Sequence, residues 1–258
     1  MIKKNHRESP PRHPFFFDLL HLVEKQIERV SLIPATPFTS ADYFPWAKRL
    51  EDSVDVIDLE YQALLDRNEP LPAFQEISPE QGNVTNDRDW RTFVLFAYGA
   101  KSVRNTQLCP KTTEILENIP GLKTAFFSVL APGKVIPPHR GPYKGLLRSH
   151  LGVRVPPGDC AIRVGNETSS WQRGKVLFFD DTIQHEAWNH SLEERVVLFL
   201  DVLRPLKAPY DLWNERVIHW IATSPFGSRS AKVFRNWYAE NGIVNDTTFD
   251  WKSGSKSN

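Results

Sequence analysis

Residues 175–205 read KVLFFDDTIQHEAWNHSLEERVVLFLDVLRP. Two short runs rich in β-branched and aromatic residues, VLFF and VVLFLDVL, enclose a polar turn at Asp180, Asp181 and Thr182 and a segment that resumes at His185. Runs of this length and composition, bounded by turn residues, predict strands rather than helices. The same texture continues upstream in TFVLFAYG (92–99), TAFFSVLAP (124–132), GLLRSHLGVRVP (145–156) and CAIRVG (160–165). Pro132-Gly133, Pro137-Pro138 and Pro156-Pro157-Gly158 punctuate the series. Several short strands at this spacing predict a sandwich or barrel-like jelly roll.

Outside this region the periodicity changes. Leu19, Leu20, Leu22, Val23, Ile27 and Val30 recur at near-helical spacing and predict an amphipathic helix from about 15 to 29, packed on the domain or facing lipid. A second helix is expected over 41–50, extending into EDSVDVIDLEYQALL, and a short one at PKTTEILENI (110–119). YDLWNERVIHWIATS (210–224) and SAKVFRNWYAENG (230–242) read as helices, the latter closed by Gly242. The expected layout is one domain in three parts: a helical or irregular extension over 1–88, a β-core over 89–205, and C-terminal helices with a frayed tail over 206–258.

A net charge of +1 over 258 residues gives no electrostatic case for nucleic acid. The apolar run near the N-terminus is interrupted by Asp18 and His21, too short and polar for a membrane span or secretory signal, so a cytoplasmic chain is expected. Cys109 and Cys160 form no disulfide framework; they pair or sit buried.

Of eight histidines, His6 and His13 lie in a polar terminus, and His21 and His219 fall in expected helices. His139, His150, His185 and His190 remain in the β-core. Residues an even number apart share a strand face, so Arg148 and His150 point the same way, whereas His185 and His190 cannot both face one pocket on a regular strand. Arg148 and Arg195 each interrupt an apolar run. A guanidinium in a half-buried site pairs with an internal carboxylate, snorkels to water, or holds a dicarboxylate ligand through paired N–H donors. A neutral imidazole suits Fe(II), and His139 and His185 are the candidates to hold it.

The segments DWRTFVLFAYG, CPKTTEILENIPG, APGKVIPPHRGPYKGLLRSHLGVRVP and CAIRVGNETSSWQRGKVLFFDDTIQHEAWNHSLEERVVLFLDVLRP together resemble the aspartyl/asparaginyl β-hydroxylase family of Fe(II)- and 2-oxoglutarate-dependent dioxygenases. The resemblance implies a mainly β fold with flanking helices and a double-stranded β-helix, cupin-like core. It implies His139 and His185 as iron ligands, with Ser128, His150 and Arg195 binding 2-oxoglutarate, and Arg148 lying where cosubstrate and substrate meet. It also implies Fe(II), 2-oxoglutarate and O₂ as the reacting set.

Gly141 stands where lipid A hydroxylase relatives carry the aspartate of a His-x-Asp motif. Animal members of the family that the chain resembles also have glycine there, and the resemblance implies water in the third place on the metal. Two protein ligands are therefore expected, with Glu186 facing away and Asp180 and Asp181 as turn residues. The leading expectation for the substrate is an Asp or Asn side chain in a peptide, or a carboxylate-bearing small molecule. A lipid A-type acyl-chain hydroxylase of the same mechanism comes next, with the glycine and the missing membrane segment counting against it. A non-catalytic β-helix binding module and halide-assisted chemistry at iron complete the alternatives.

Overall fold

A computed structural model describes residues 14–79, 82, 84–243 and 249–250. Its strands are β1 (Phe38–Thr39), β2 (Trp90–Ala97), β3 (Ala100–Ser102), β4 (Leu122–Leu130), β5 (Val135–His139), β6 (Leu146–Arg154), β7 (Cys160–Val164), β8 (Glu167–Ser170), β9 (Val176–Phe179), β10 (His185–Asn189), β11 (Arg195–Leu203) and β12 (Phe249–Asp250). The helices are α1 (Pro14–Val30), α2 (Trp46–Asp52), α3 (Val54–Asp66), α4 (Phe74–Ile77), α5 (Val103–Leu108), α6 (Pro110–Glu117), α7 (Tyr210–Thr223) and α8 (Pro225–Glu240).

From β4 to β11 the chain passes back and forth between two sheets. The larger runs in the order β1-β9-β6-β11-β4-β2-β3-β12 and the smaller β5-β10-β7-β8. The strand ladders are antiparallel. The central strands β9-β6-β11-β4 opposite β5-β10-β7-β8 form a double-stranded β-helix, the jelly-roll solution to burying one face of each sheet. Trp90, Leu130, Phe179 and Val197 of the large sheet meet Ile136, Ile162, Val164 and Ala187 of the small one between the layers. The opposite face of the large sheet carries Phe127, Leu147, Leu151, Phe178, Leu198 and Leu200, which pack against Leu50 of α2, Ile57, Tyr61 and Leu64 of α3, and Leu116 of α6. Each fully buried side chain of this size stabilises the fold by about 1.5–3 kcal/mol, so the helical layer over 46–66 is part of the same core.

Three local expectations change. Pro137 and Pro138, read as punctuation, lie inside β5, which is tolerated because β5 is an edge strand with no neighbour on one side. The polar ETSS segment forms β8 at the other edge, where its side chains are largely exposed. The helix expected from 41 onward breaks into a 3₁₀ turn, α2 and α3; the Ser53 hydroxyl donates to the Arg49 carbonyl (2.8 Å) at the break. Gly242 ends α8 with φ +80°, where a side chain would be strained. Cys109 and Cys160 are separate buried thiols. No helix among the described residues is long and apolar enough to cross a membrane. His6, His13 and the tail over 251–258 lie outside the described residues.

Candidate active site

His139 ends β5 and His185 begins β10, and the antiparallel register sets them directly across from each other, with ring centroids 4.1 Å apart. In each ring Nδ1 faces a backbone carbonyl two residues back: Pro137 O at 2.8 Å and Ile183 O at 3.0 Å. A carbonyl only accepts, so the proton is assigned to Nδ1 and Nε2 keeps its lone pair, the tautomer a metal ligand requires. Burial, reinforced by the positive Arg148, keeps both imidazoles neutral; His185 is held down to about 3, with His139 contributing. Phe179 meets His185 edge-on at 5.7 Å and walls one side of the pair. His190 follows the end of β10 and turns outward to Asp159 (2.8 Å).

A buried cation opens β11. Arg195 is 2% exposed, and among the described residues no carboxylate forms an ion pair with it. Its Nη1 donates a long bond to Ser128 O (3.4 Å), its Nε has no partner, and the guanidinium lies 4.6 Å from the Trp171 ring centre. Burial lowers it to about 10. Trp171 donates its indole N–H to His150 Nδ1 (3.2 Å). Indole is donor only, so His150 carries its proton on Nε2, which is also buried and without a partner. Burial, with Arg195 and Arg148 adding to it, keeps His150 uncharged. Ser128 Oγ accepts from Trp90 Nε1 (3.0 Å), leaving its own O–H to donate. Arg195, His150 and Ser128 thus present donors from three adjacent strands, and the partnerless Arg195 Nε and His150 Nε2 call for an acceptor-rich anion.

Arg148 differs from Arg195. It bonds Asp201 (2.9 Å) across the β6–β11 pair and Asp181 (3.0 Å) on the turn after β9, while lying 4.4 Å over the Phe199 ring. Burial pulls it downward, and the two carboxylates more than offset that effect. The internal-carboxylate alternative therefore describes Arg148, whereas Arg195 has no such partner among the described residues. Burial raises the Asp181 carboxyl against the pull of Arg148, with Asp201 and Asp180 adding to the rise. Asp180 instead joins a buried network with Arg204 (2.7 Å) and Lys144 (3.1 Å) that fixes the turn.

Glu186 faces away from the imidazole pair and bonds Arg163. These two, with Gln184, Asn166 and Pro138, line a polar pocket of about 350 Å³ that also reaches His185. No cluster of three or more His, Cys, Asp or Glu suited to a metal occurs among the described residues. Trp171, Trp90 and Asp201 were not singled out from the sequence. Trp171 stood in the quoted motif, but an aromatic residue gives no sign of orienting a histidine until its neighbour is known.

The chain matches the sequence family described as Aspartyl/Asparaginyl beta-hydroxylase over residues 51–205. The match begins well before residue 89 and takes in α3, consistent with the packing of that helix on the large sheet. The chain is similar to an ornithine lipid ester-linked acyl 2-hydroxylase of Rhizobium tropici, 40% identical over 232 residues that cover 88% of this chain and 83% of the relative. It is 32% identical to human aspartyl/asparaginyl beta-hydroxylase over 72% of this chain, but it spans 25% of that longer protein. Human aspartate beta-hydroxylase domain-containing protein 2 is 35% identical over 67% of this chain and 48% of its own length. Among solved structures, a cupin domain from Schizosaccharomyces pombe is similar over 52% of this chain and 76% of its own, with 13% identity and a TM-score of 0.33.

Proposed function

We propose that this chain, which belongs to the aspartyl/asparaginyl β-hydroxylase family, is an Fe(II)- and 2-oxoglutarate-dependent hydroxylase acting on the acyl chain of a membrane lipid. The observation that carries the cosubstrate is Arg195: a buried guanidinium without a carboxylate, beside the unpartnered Nε2 of His150. Leaving such a charge unpaired is destabilising by several kcal/mol, roughly, and a dicarboxylate would relieve it. The observation that favours a lipid is the breadth of similarity to the ornithine lipid hydroxylase, which spans most of both chains.

His139 and His185 would hold Fe(II) through Nε2, with the remaining positions open to cosubstrate and water. When bound, the metal couples loss of CO₂ from 2-oxoglutarate, giving succinate, to insertion of one atom of O₂ into a substrate C–H bond. Arg195 would take the far carboxylate of 2-oxoglutarate, with Ser128 and His150 donating to its oxygens. Trp171 stacks on that guanidinium and fixes the His150 tautomer. Arg148, neutralised by Asp181 and Asp201, would position substrate at the mouth rather than bind a free anion. Phe179, Val197 and Ile162 would exclude water from the reacting centre.

A peptidyl Asp or Asn stands second as substrate. The family match and the polar pocket with Arg163 beside His185 favour it, whereas the human relative is similar over a quarter of its own length. Anaerobic addition of Fe(II) and 2-oxoglutarate should give a metal-to-cosubstrate absorption band. Admission of O₂ should then give succinate and an ornithine-type lipid heavier by one oxygen atom. Oxygen gained by Asp-containing peptides instead selects the second substrate; a wild-type protein with neither band nor succinate would falsify the enzyme reading.

A further inference from the structure

We propose that α7 and the C-terminal half of α1 form a docking face for an anionic membrane surface, with Trp213 and Trp220 seated among its headgroups. The lipid-substrate reading supplies the purpose of this face. On α7, Asn214, Ile218 and Ala222 point inward and are buried. Trp213, Arg216 and Trp220 fall on the opposite side at helical spacing, with Trp220 71% and Trp213 43% exposed. Leu212 and Tyr210 extend the apolar exposure along the same helix. Tryptophan is ordinarily well buried, so two on one outward stripe call for a partner.

Helix α1 contributes a second stripe. Ile27 and Val30 face the fold against Leu206, whereas Leu22, Lys25 and Arg29 are exposed, and exposed Leu32 follows. The two helices are joined. Lys207 N–H donates to Val30 O (2.9 Å), and Tyr143 packs on the α1 cluster while donating its O–H to Asn214 of α7 (2.8 Å). Tyr143 lies on the loop that leaves His139, and Arg140 of that loop pairs with Glu24 of α1 (2.7 Å). The loop that issues from the imidazole pair therefore braces the inward sides of both helices and ties the docking face to the active site.

Charge selects the partner. Glu24, Glu28 and Glu215 are engaged by Arg140, Lys144 and Lys123. Exposed Lys25, Arg29, Lys207 and Arg216 are left to set the sign against exposed Asp211. Amphipathic aromatic rings ringed by Lys and Arg suit the headgroup layer of an anionic bilayer, where indole sits at the boundary and each basic group gains from the surface potential.

Flotation of the full-length protein with vesicles tests this. Phosphatidylcholine vesicles containing phosphatidylglycerol are compared with phosphatidylcholine alone, using wild type and the Trp213→Ser/Trp220→Ser variant. The variant changes only exposed side chains, and an unaltered melting curve will establish its fold. Wild type should float with the anionic vesicles, weakened at an ionic strength of about 0.5 M, and the variant's partition should fall at least about tenfold. Turnover of detergent-dispersed lipid should be the same for both proteins. A wild type that stays unbound, a variant that floats equally well, or a variant that merely converts a dimer to a monomer overturns the proposal. Flotation lost in the variant, with no lipid hydroxylated by either protein, upholds the docking face and rejects the lipid substrate.

Discussion

The Asp181 carboxylate fills the space in which a side chain at Gly141 would begin: a Cβ added there would lie 2.0 Å from Asp181 Oδ2 and 2.4 Å from its Cγ. The backbones are tied as well, Gly141 N–H donating to Asp181 O (2.7 Å). Asp181 cannot swing away freely, because Arg148 holds its carboxylate at 3.0 Å. The glycine therefore has a steric cause inside this chain. A glycine with such a cause is compatible with either a lipid or a peptide substrate.

Gly141→Ala should accordingly destabilise the protein by about 1–3 kcal/mol, the usual range for overpacking. Asp181→Gly carries a cost of its own by leaving Arg148 with Asp201 alone, so the two changes are read as a cycle: Gly141→Ala should cost clearly less in the Asp181→Gly background than in wild type, because the clash has one partner. Denaturant melts of both single variants, the double variant and wild type check this, and additive losses would remove the steric account.

Arg195→Met should separate binding from stability. The buried guanidinium lacks a carboxylate, so its replacement should raise the stability of the ligand-free protein by about 1 kcal/mol. Affinity for 2-oxoglutarate should fall by about a hundredfold or more, since the charge-assisted anchor is lost. Thermal melts with and without 2-oxoglutarate read both effects: the variant should start higher and gain nothing from the ligand.

His150 and His185 are held neutral in the fold, His185 down to about 3, whereas an exposed histidine takes a proton near 6.5. Below that value the unfolded chain binds protons that the folded one refuses, so stability falls as pH drops from about 6.5 toward 3. The contribution is fully present above 6.5. Replacing His150 with Gln should flatten this slope in urea titrations at pH 7.5 and pH 5, and an unchanged slope would show that His150 is not neutral in the fold.

Arg148→Ala should be severe for a different reason. It strands Asp181 and Asp201 in a buried setting, with an expected loss of about 3–5 kcal/mol at neutral pH. Asp181 already takes up a proton more readily than an ordinary aspartate because it is buried, and its protonation relieves the repulsion. The deficit should therefore shrink between pH 8 and pH 5. A deficit that stays constant over that range would mean that the carboxylates are not what Arg148 supports.

The runs VLFF, VVLFLDVL, TAFFSVL and LLRSHLGV announced their strands, because β-branched and aromatic residues between Pro, Gly and polar turns fit a buried pleat and little else. His139, His150, His185, Arg148, Arg195 and Ser128 were likewise visible as polar intrusions into that texture or through the family motif. β5 and β8 were not legible, since Pro137-Pro138 and ETSS are acceptable only at a sheet edge, and edge position is a property of the assembled sheet.

Alternation along a strand tells which residues share a face, but not which strand will lie across from it. That His185 meets His139 follows from hydrogen bonding between segments far apart in the chain. The same holds for the two arginines, which look alike in sequence. Arg148 finds Asp201 across a ladder and Asp181 on a neighbouring turn, while Arg195 is enclosed with Trp171 and finds no acid among the described residues. By itself, then, the sequence determined the buried core strands, the helical regions and the shortlist of polar residues, because these depend on local pattern. Only the tertiary structure decided which cation is left unpaired and why residue 141 has no side chain, because both depend on the space and charge brought up by distant segments.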